Sequence, residues 1–281
     1  MLAETTRVEP SIPHPERSFI LPDRFPFSVH LFGRQTTDGR EQDWLKVGGG
    51  RKRLGVFLQN ECPEVTRVFA PNASQANGVC VGAAPEFFGN TEEIALGLIL
   101  YDEAFADGVL YLEQNTAFWC PSGGCPVVVL SDGSDVHVTH AGSRSLGVRG
   151  DRFGRHVNSV LDLMMDCFDR PEEVWAYIFC GKGPWSFPHD MEHPQWGESN
   201  ARLIPYVREH FGEACAPTDD NGVPHIAMHE VIGAQLKRRH VDPEHISWDG
   251  FDTVTDKSHG EYRWHDQSRS PKRNGVLVVR H

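Results

Sequence analysis

Hydrophobic and polar positions along the chain change period several times, and each change marks an element. Residues 25–32 alternate weakly and predict a first strand. Residues 108–113, 125–131 and 135–140 also read as strands. The second of these is almost wholly apolar, as a strand buried on both faces is. Asp132-Gly133 then marks a tight hairpin turn into the third. From 154 to 168 the period lengthens. Val157, Val160, Leu161, Met164 and Phe168 recur at three- and four-residue steps, which predicts an amphipathic helix that Pro171 stops. Residues 173–180 predict another buried strand, 200–211 and 226–240 two further helices, and 245–248 and 275–279 the last strands. No internal repeat is visible, nor any linker after residue 25, so residues 25–281 are expected to form one mixed α/β domain. Residues 1–24, with Pro10, Pro13, Pro15 and Pro22, read as an extended arm on its surface. Residues 35–53 are polar and glycine-rich. Gly48-Gly49-Gly50 before Arg51-Lys52-Arg53 lacks the spacing of a phosphate-binding loop, so a solvated loop is expected there.

Length and composition narrow the class. A chain of 281 residues can bury a core without disulfides or a structural metal. With 39% hydrophobic and 23% charged residues it is neither disordered throughout, collagenous nor a coiled coil. Lys plus Arg is 27 against 39 Asp plus Glu, and the resulting charge of −12 makes a poor general binder of nucleic acid or anionic lipid. The apolar runs at 94–100 and 126–130 are far short of the roughly 20 residues a membrane-spanning helix needs. The N-terminus is charged and proline-rich, without an apolar signal segment. Seven cysteines at irregular spacing do not suggest a disulfide framework, so a cytoplasmic protein with reduced thiols is expected. The oligomeric state is left open.

The most informative segment runs from Ser122-Gly123-Gly124-Cys125 to Thr139-His140-Ala141-Gly142-Ser143-Arg144. Cys125 begins one strand and His140 ends the next. A hairpin between them brings both side chains to one end of the sheet although they lie 15 residues apart. A thiol beside an imidazole has two chemical uses. The thiolate acts as nucleophile with the imidazole as base, or both ligate zinc and a bound water reacts. A buried structural cysteine near a satisfied histidine is the bland alternative, and spacing alone does not choose among the three.

The run Gly124-Cys125-Pro126-Val127-Val128-Val129-Leu130, followed by His140-Ala141-Gly142-x-Arg144, resembles the laccase-domain family, also called multicopper polyphenol oxidase or peptidoglycan-editing factor proteins. That family carries Asp-Cys-x-Pro-Val-Leu-Leu and His-Ala-Gly-Trp-Arg-Gly. Further similar stretches are Ala106-Asp107-Gly108, Gly183-Pro184, Gln235-Leu236 with Val241 and Ile246, residues 261–266 and 273–279. The resemblance covers roughly residues 85–281 and is weak or absent over 1–84. It implies a single layered α/β/β/α domain with mixed sheets, an architecture shared with the cytotoxic necrotizing factor. It also implies a zinc site of two histidines and one cysteine, here Cys125 and His140. The implied activity is phosphorolysis of purine nucleosides, with adenosine deamination. Phosphorolysis needs a phosphate held by cations, and Arg144 and Arg273 fall on motif positions suited to that role. Copper is not expected, because the fifteen histidines are scattered rather than grouped into several copper sites.

Several departures weaken the zinc expectation. The family's first histidine lies in a His-Gly pair ahead of the cysteine, where this chain has Phe88-Gly89, and no histidine occurs between His30 and His137. Gly124 replaces an aspartate, Ser143 and Ser145 replace a tryptophan and a glycine, and an expected Cys-Thr pair appears as Asp252-Thr253. Two protein ligands normally hold zinc weakly. His137, Cys120, His189 and His193 are conceivable replacements, and spacing selects none. Ser122-Gly123-Gly124-Cys125 with a histidine 15 residues on also resembles the cysteine–histidine deamidases of the cytotoxic necrotizing factor type. That resemblance implies a metal-independent Cys125–His140 dyad acting on a glutamine side chain or another amide. A degenerate homologue without turnover is a third reading. His189/His193 and His225/His229 have the i, i+4 spacing of helical metal pairs, although Pro188 and Pro194 flank the first. Lys237-Arg238-Arg239-His240 complements a helix C-terminus, and the basic stretch 268–273 reads as an exposed loop.

Overall fold

The computed structural model describes residues 17–20, 25–33, 50–73, 78–148, 159–255 and 274–281. In chain order the elements are β1 (Arg17–Ile20), β2 (Phe27–Phe32), α1 (Gly50–Glu61), β3 (Arg67–Phe69), β4 (Cys80–Gly82), β5 (Asn90–Ala95), β6 (Leu98–Asp102), β7 (Gly108–Leu110) and β8 (Thr116–Ser122). They continue with β9 (Val127–Ser131), β10 (Val136–His140), α2 (Val160–Met165), β11 (Trp175–Phe179), α3 (Gly197–Phe211), α4 (Met228–Arg238), β12 (Ile246–Trp248) and β13 (Asn274–Arg280). Seven strands form one sheet in the order β1-β2-β13-β8-β3-β6-β5, and six form a second in the order β12-β11-β9-β10-β7-β4. Both sheets are mixed. β3 runs parallel to β6 and β8, β12 to β11, and β4 to β7.

The alternation of buried side chains defines four layers. In β9, Val127 and Val129 enter the core between the two sheets, while Val128 and Leu130 face α2, α3 and α4. In β13, Val276 and Val278 face the other sheet, and Leu277 and Val279 face Leu54, Phe57 and Leu58 of α1. The arrangement is α/β/β/α, as the sequence resemblance implies. Because β9 is apolar on both faces, hydrophobic alternation alone does not fix its register. The turn does. Asp132 Oδ1 accepts from the Ser134 and Asp135 N–H groups and the Ser134 hydroxyl, and Gly133 takes φ +97°, which suits glycine. β10 is thereby paired with Val136 opposite Ser131 and His140 opposite Val127. α2 starts at a capping box, Ser159 with Asp162, so the described helix is shorter than the predicted 154–168, of which 154–158 lie outside the described residues.

Several segments are not as a local reading of the sequence suggests. Residues 50–53 are not loop but open α1, and Arg51 pairs with the Glu92 and Asp102 carboxylates; residues 35–49 lie outside the described residues. The apolar run 94–100 straddles the β5–β6 hairpin, with Leu96 exposed and Gly97 at φ +74°. β8 is central to the larger sheet and was not visible as a strand. Its Phe118 and Cys120 face one core and Ala117 and Trp119 another, so no alternation shows. Within the stretch read as an arm, Arg17–Ile20 pairs with β2 as an edge strand. Among the described residues no helix is long and apolar enough to cross a membrane.

Two buried histidines tie stability to pH. His30 bonds Ser18 and Ser28 through its two ring nitrogens, and burial, aided by His281, lowers it to about 4. His137 accepts the Tyr111 N–H and lies between the Tyr111 and Phe168 rings. Burial outweighs the pull of Asp132 there and also lowers it to about 4. Between about 4 and 6.5 the unfolded chain therefore binds more protons than the folded one, so stability is full above this window and falls as pH drops through it. The expected loss is on the order of 3 kcal/mol per histidine by pH 4. Urea midpoints taken from pH 7 down to about 5, above the main carboxylate range, check it. A flat profile there contradicts the account.

Candidate active site

The register brings several chain segments to one end of the smaller sheet. Val127 lies opposite His140, so the residues just before β9 meet the last residue of β10. Phe179 also lies opposite Val127, and Trp248 opposite Ile178, so the segments leaving β11 and β12 arrive at the same end. Gly108, opposite Thr139, brings the residue before β7 there too. Backbone bonds lock these segments together: Ala141 N–H to Pro126, His140 N–H to Asp107, Lys182 N–H to Gly124 and Thr253 N–H to Gly181, all at 2.8–3.1 Å. The Ser122 hydroxyl donates to the Cys125 carbonyl at 2.6 Å and closes the Ser-Gly-Gly-Cys turn. Gly124 takes φ +109°, where a Cβ would also crowd Thr253 and Lys182.

Within this frame the His140 imidazole hydrogen-bonds the half-buried Cys125. Its Nδ1 faces Asp107 Oδ1 at 3.8 Å, an ion-pair separation too long for a hydrogen bond. Asp107 is 1% exposed, and its other oxygen accepts the Gly78 and Val79 N–H groups at 2.6 and 3.2 Å. Burial alone would lower His140. The negative charge and hydrogen bond of Cys125, together with Asp107, more than reverse this and push it up to about 10. A cysteine beside a protonated histidine is the usual setting of a reactive thiolate. Gly142 makes room for the pair, because a Cβ there would lie 2.9 Å from His140 Cε1 and 3.6 Å from Cys125 Sγ.

The other sequence candidates fall elsewhere. Arg144 is exposed in the turn after Gly142. Arg273 lies outside the described residues, as do residues 268–272. Phe88, where the sequence resemblance implies a histidine, is buried and packs its ring 5.2 Å from Phe69 and 6.3 Å from Tyr101. Among the described residues no group of three or more His, Cys, Asp or Glu could hold a metal ion. The conceivable replacement ligands have other places. His137 sits with Tyr111 and Phe168, and Cys120 is buried with its thiol toward the Pro121 carbonyl. His189 bonds the Phe187 carbonyl, and His193 accepts the Gln195 and Trp196 N–H groups. The described residues therefore do not fit a three-ligand zinc site. His225 pairs with Asp219, whereas His229 stacks on Trp248, and α4 begins only at Met228, so these two form no helical pair. A cleft of about 300 Å³ lined by Phe25, Asp132, Glu172, Glu173, Trp175 and His245 opens at the opposite end of the sheet, beside the β9–β10 turn, and is not part of this site.

Sequence reasoning missed the placement of Asp107. The Ala106-Asp107-Gly108 step was visible only as a motif. Its signal is the glycine that follows, since a Cβ on Gly108 would lie 2.6 Å from the Val138 carbonyl. That close approach draws Asp107 against the end of β10.

No family model matches the sequence, and no curated protein does. Solved structures do. A Bacillus licheniformis hypothetical protein, YfiH, aligns with TM-score 0.63 and 14% identity over 91% of this chain and 93% of its own. YlmD from Geobacillus stearothermophilus gives 0.66 and 13% over 93% and 94%. The Neisseria meningitidis protein NMB0706, described as family-model DUF152, gives 0.59 and 17% over 95% and 96%. At these identities the likeness is one of fold. The chain thus has the two-sheet α/β fold of YfiH-like proteins along nearly its whole length, in line with the laccase-domain resemblance of its sequence.

Gly142→Ala is expected to displace the imidazole from Cys125. The rate of Cys125 alkylation by iodoacetamide at pH 7, read by peptide mass, should fall about tenfold or more, given the steep dependence of such reactions on position. The urea midpoint should move little. Wild-type alkylation in this variant contradicts the geometry.

Proposed function

We propose that the protein is a metal-independent thiol hydrolase of the deamidase type, with Cys125 as nucleophile and His140 as general acid and base. The observation that carries this reading is the His140 imidazole, hydrogen-bonded to Cys125 on one side and facing the buried Asp107 carboxylate on the other. In the first step the Cys125 thiolate forms a bond to the carbon of a carboxamide, such as a glutamine side chain. The tetrahedral adduct collapses, the C–N bond breaks, and imidazolium His140 gives its proton to the departing nitrogen, releasing ammonia and leaving a thioester. Neutral His140 then takes a proton from water as the water attacks the thioester. Carboxylate product leaves and the thiolate–imidazolium pair returns.

The second reading, zinc-assisted phosphorolysis of a purine nucleoside, is supported by the fold shared with YfiH-like proteins. It requires a third zinc ligand beyond Cys125 and His140. It also requires cations on the phosphate, for which Arg144 and Arg273 remain the candidates. Fold alone does not select chemistry, so the two readings are separated by experiment.

Ammonia release from glutamine-containing peptides is measured alongside free-base release from inosine and adenosine, with and without phosphate and EDTA. The expected result is ammonia release that survives EDTA, is abolished by iodoacetamide, and falls at least about 10³-fold in Cys125→Ala and His140→Ala. Phosphate-dependent base release that EDTA abolishes replaces this reading with the nucleoside one. Neither activity leaves a homologue without turnover.

A further inference from the structure

We infer that Asp107 is the positioning residue of the thiol site, holding His140 with Nδ1 protonated toward its carboxylate and Nε2 turned to Cys125. The inference rests on the thiol-hydrolase reading, but its geometry stands separately. Asp107 is almost fully buried and carries a carboxylate on the fringe of an apolar core. A buried carboxylate is tolerated only with donors or a counter-charge. Oδ2 has its donors, the Gly78 and Val79 N–H groups on the approach to β4. Oδ1 faces His140 Nδ1, and among the described residues that nitrogen has no closer partner.

The two halves of Asp107 act on one residue. Its backbone carbonyl accepts the His140 N–H at 2.8 Å while its carboxylate addresses the same residue's ring. Cys80 and Cys120, which also sense the Asp107 charge, are both pushed up chiefly by burial and remain neutral thiols, so they place no second negative charge beside it. Two N–H donors on one oxygen fix the carboxylate plane and leave the other oxygen for the imidazole. A separation of 3.8 Å is long for a hydrogen bond, as catalytic contacts in sites without substrate commonly are.

The alternative is that Asp107 only ties down residues 78 and 79. Asp107→Asn separates the two roles. Its amide oxygen still accepts from Gly78 and Val79, but its NH₂ would face Nδ1 as a donor and impose the wrong tautomer. The comparable change in a serine protease triad costs about 10⁴ with its geometry intact. Three quantities are read on wild type and variant: the melting temperature, the downfield Nδ1–H proton of His140 by NMR (assigned by its loss in His140→Gln), and the p-nitrophenyl acetate burst that acylates Cys125. The expected variant melts within a few degrees of wild type, loses the downfield proton, and acylates about 10²–10³-fold more slowly. A variant with the wild-type resonance and burst, or a wild type without the downfield proton, overturns the inference. Loss of the resonance in Asp107→Asn, together with a wild type that is never acylated at Cys125, removes the hydrolase reading and leaves the positioning role standing.

Discussion

The site depends on one constraint, the burial of β9 on both faces. Val127 and Val129 are enclosed between the sheets, and Val128 and Leu130 are enclosed by the helices. Each such side chain is worth about 1.5–3 kcal/mol in burial, and no face of the strand is left for polar chemistry. Reactive groups can then sit only at its ends. One end is the Asp132–Gly133 turn, whose carboxylate is occupied by its own backbone and hydroxyl donors. The other end presents Cys125, and the hairpin register delivers His140 beside it. The candidate site therefore lies at the edge of the core, because the core admits no polar group of this kind.

The segments that ring this edge are closed by a recurring device. Asp107 accepts N–H groups from Gly78 and Val79, Asp249 from Cys180 and Phe251, and Asp252 from Val254 together with the hydroxyls of Ser186 and Thr255. For Asp252 these donors outweigh burial and hold the carboxyl below its ordinary value. Each aspartate ends the need of backbone groups that the strand ladders leave unpaired. Of the three, Asp107 also turns an oxygen toward a titratable base. A structural device is thereby placed where it can act on chemistry.

How much was legible in the sequence follows from how local each signal is. The β9–β10 hairpin announces itself through an apolar run and Asp132-Gly133, and with it came the meeting of Cys125 and His140. The later helices show because Leu203, Ile204 and Val207, or Val231, Ile232 and Leu236, repeat at helical steps. β8 stayed hidden because both its faces are buried, it contains Pro121, and Trp119 fits only over Gly275, which lies at the far end of the chain. The start of α1 looked like loop because Gly48-Gly49-Gly50 and Arg51-Lys52-Arg53 show no apolar period. Its helicity comes from docking Leu54, Phe57 and Leu58 on the larger sheet and from carboxylates on β5 and β6 that meet Arg51. Asp107 stood in a visible motif, but its N–H donors and its histidine come from other strands, and no local pattern encodes such contacts.

Phe88 shows how packing can fill a place where the sequence resemblance implies a ligand. A histidine ligand at the edge of a core brings polar nitrogens that need a metal or hydrogen-bond partners. A phenyl ring at the same place needs neither and gains contact with Phe69 and Tyr101. At this position packing is satisfied without a polar partner. At the strand end, β9 enforces a different geometry, a thiol beside an imidazole. Such an imidazole needs another group to fix its tautomer and favour its proton. The structure already places one there, a buried carboxylate oriented by backbone donors on its other oxygen and brought beside β10 by a glycine that lets β7 approach closely. The strand ends thus hold a thiol, an imidazole and a carboxylate side by side.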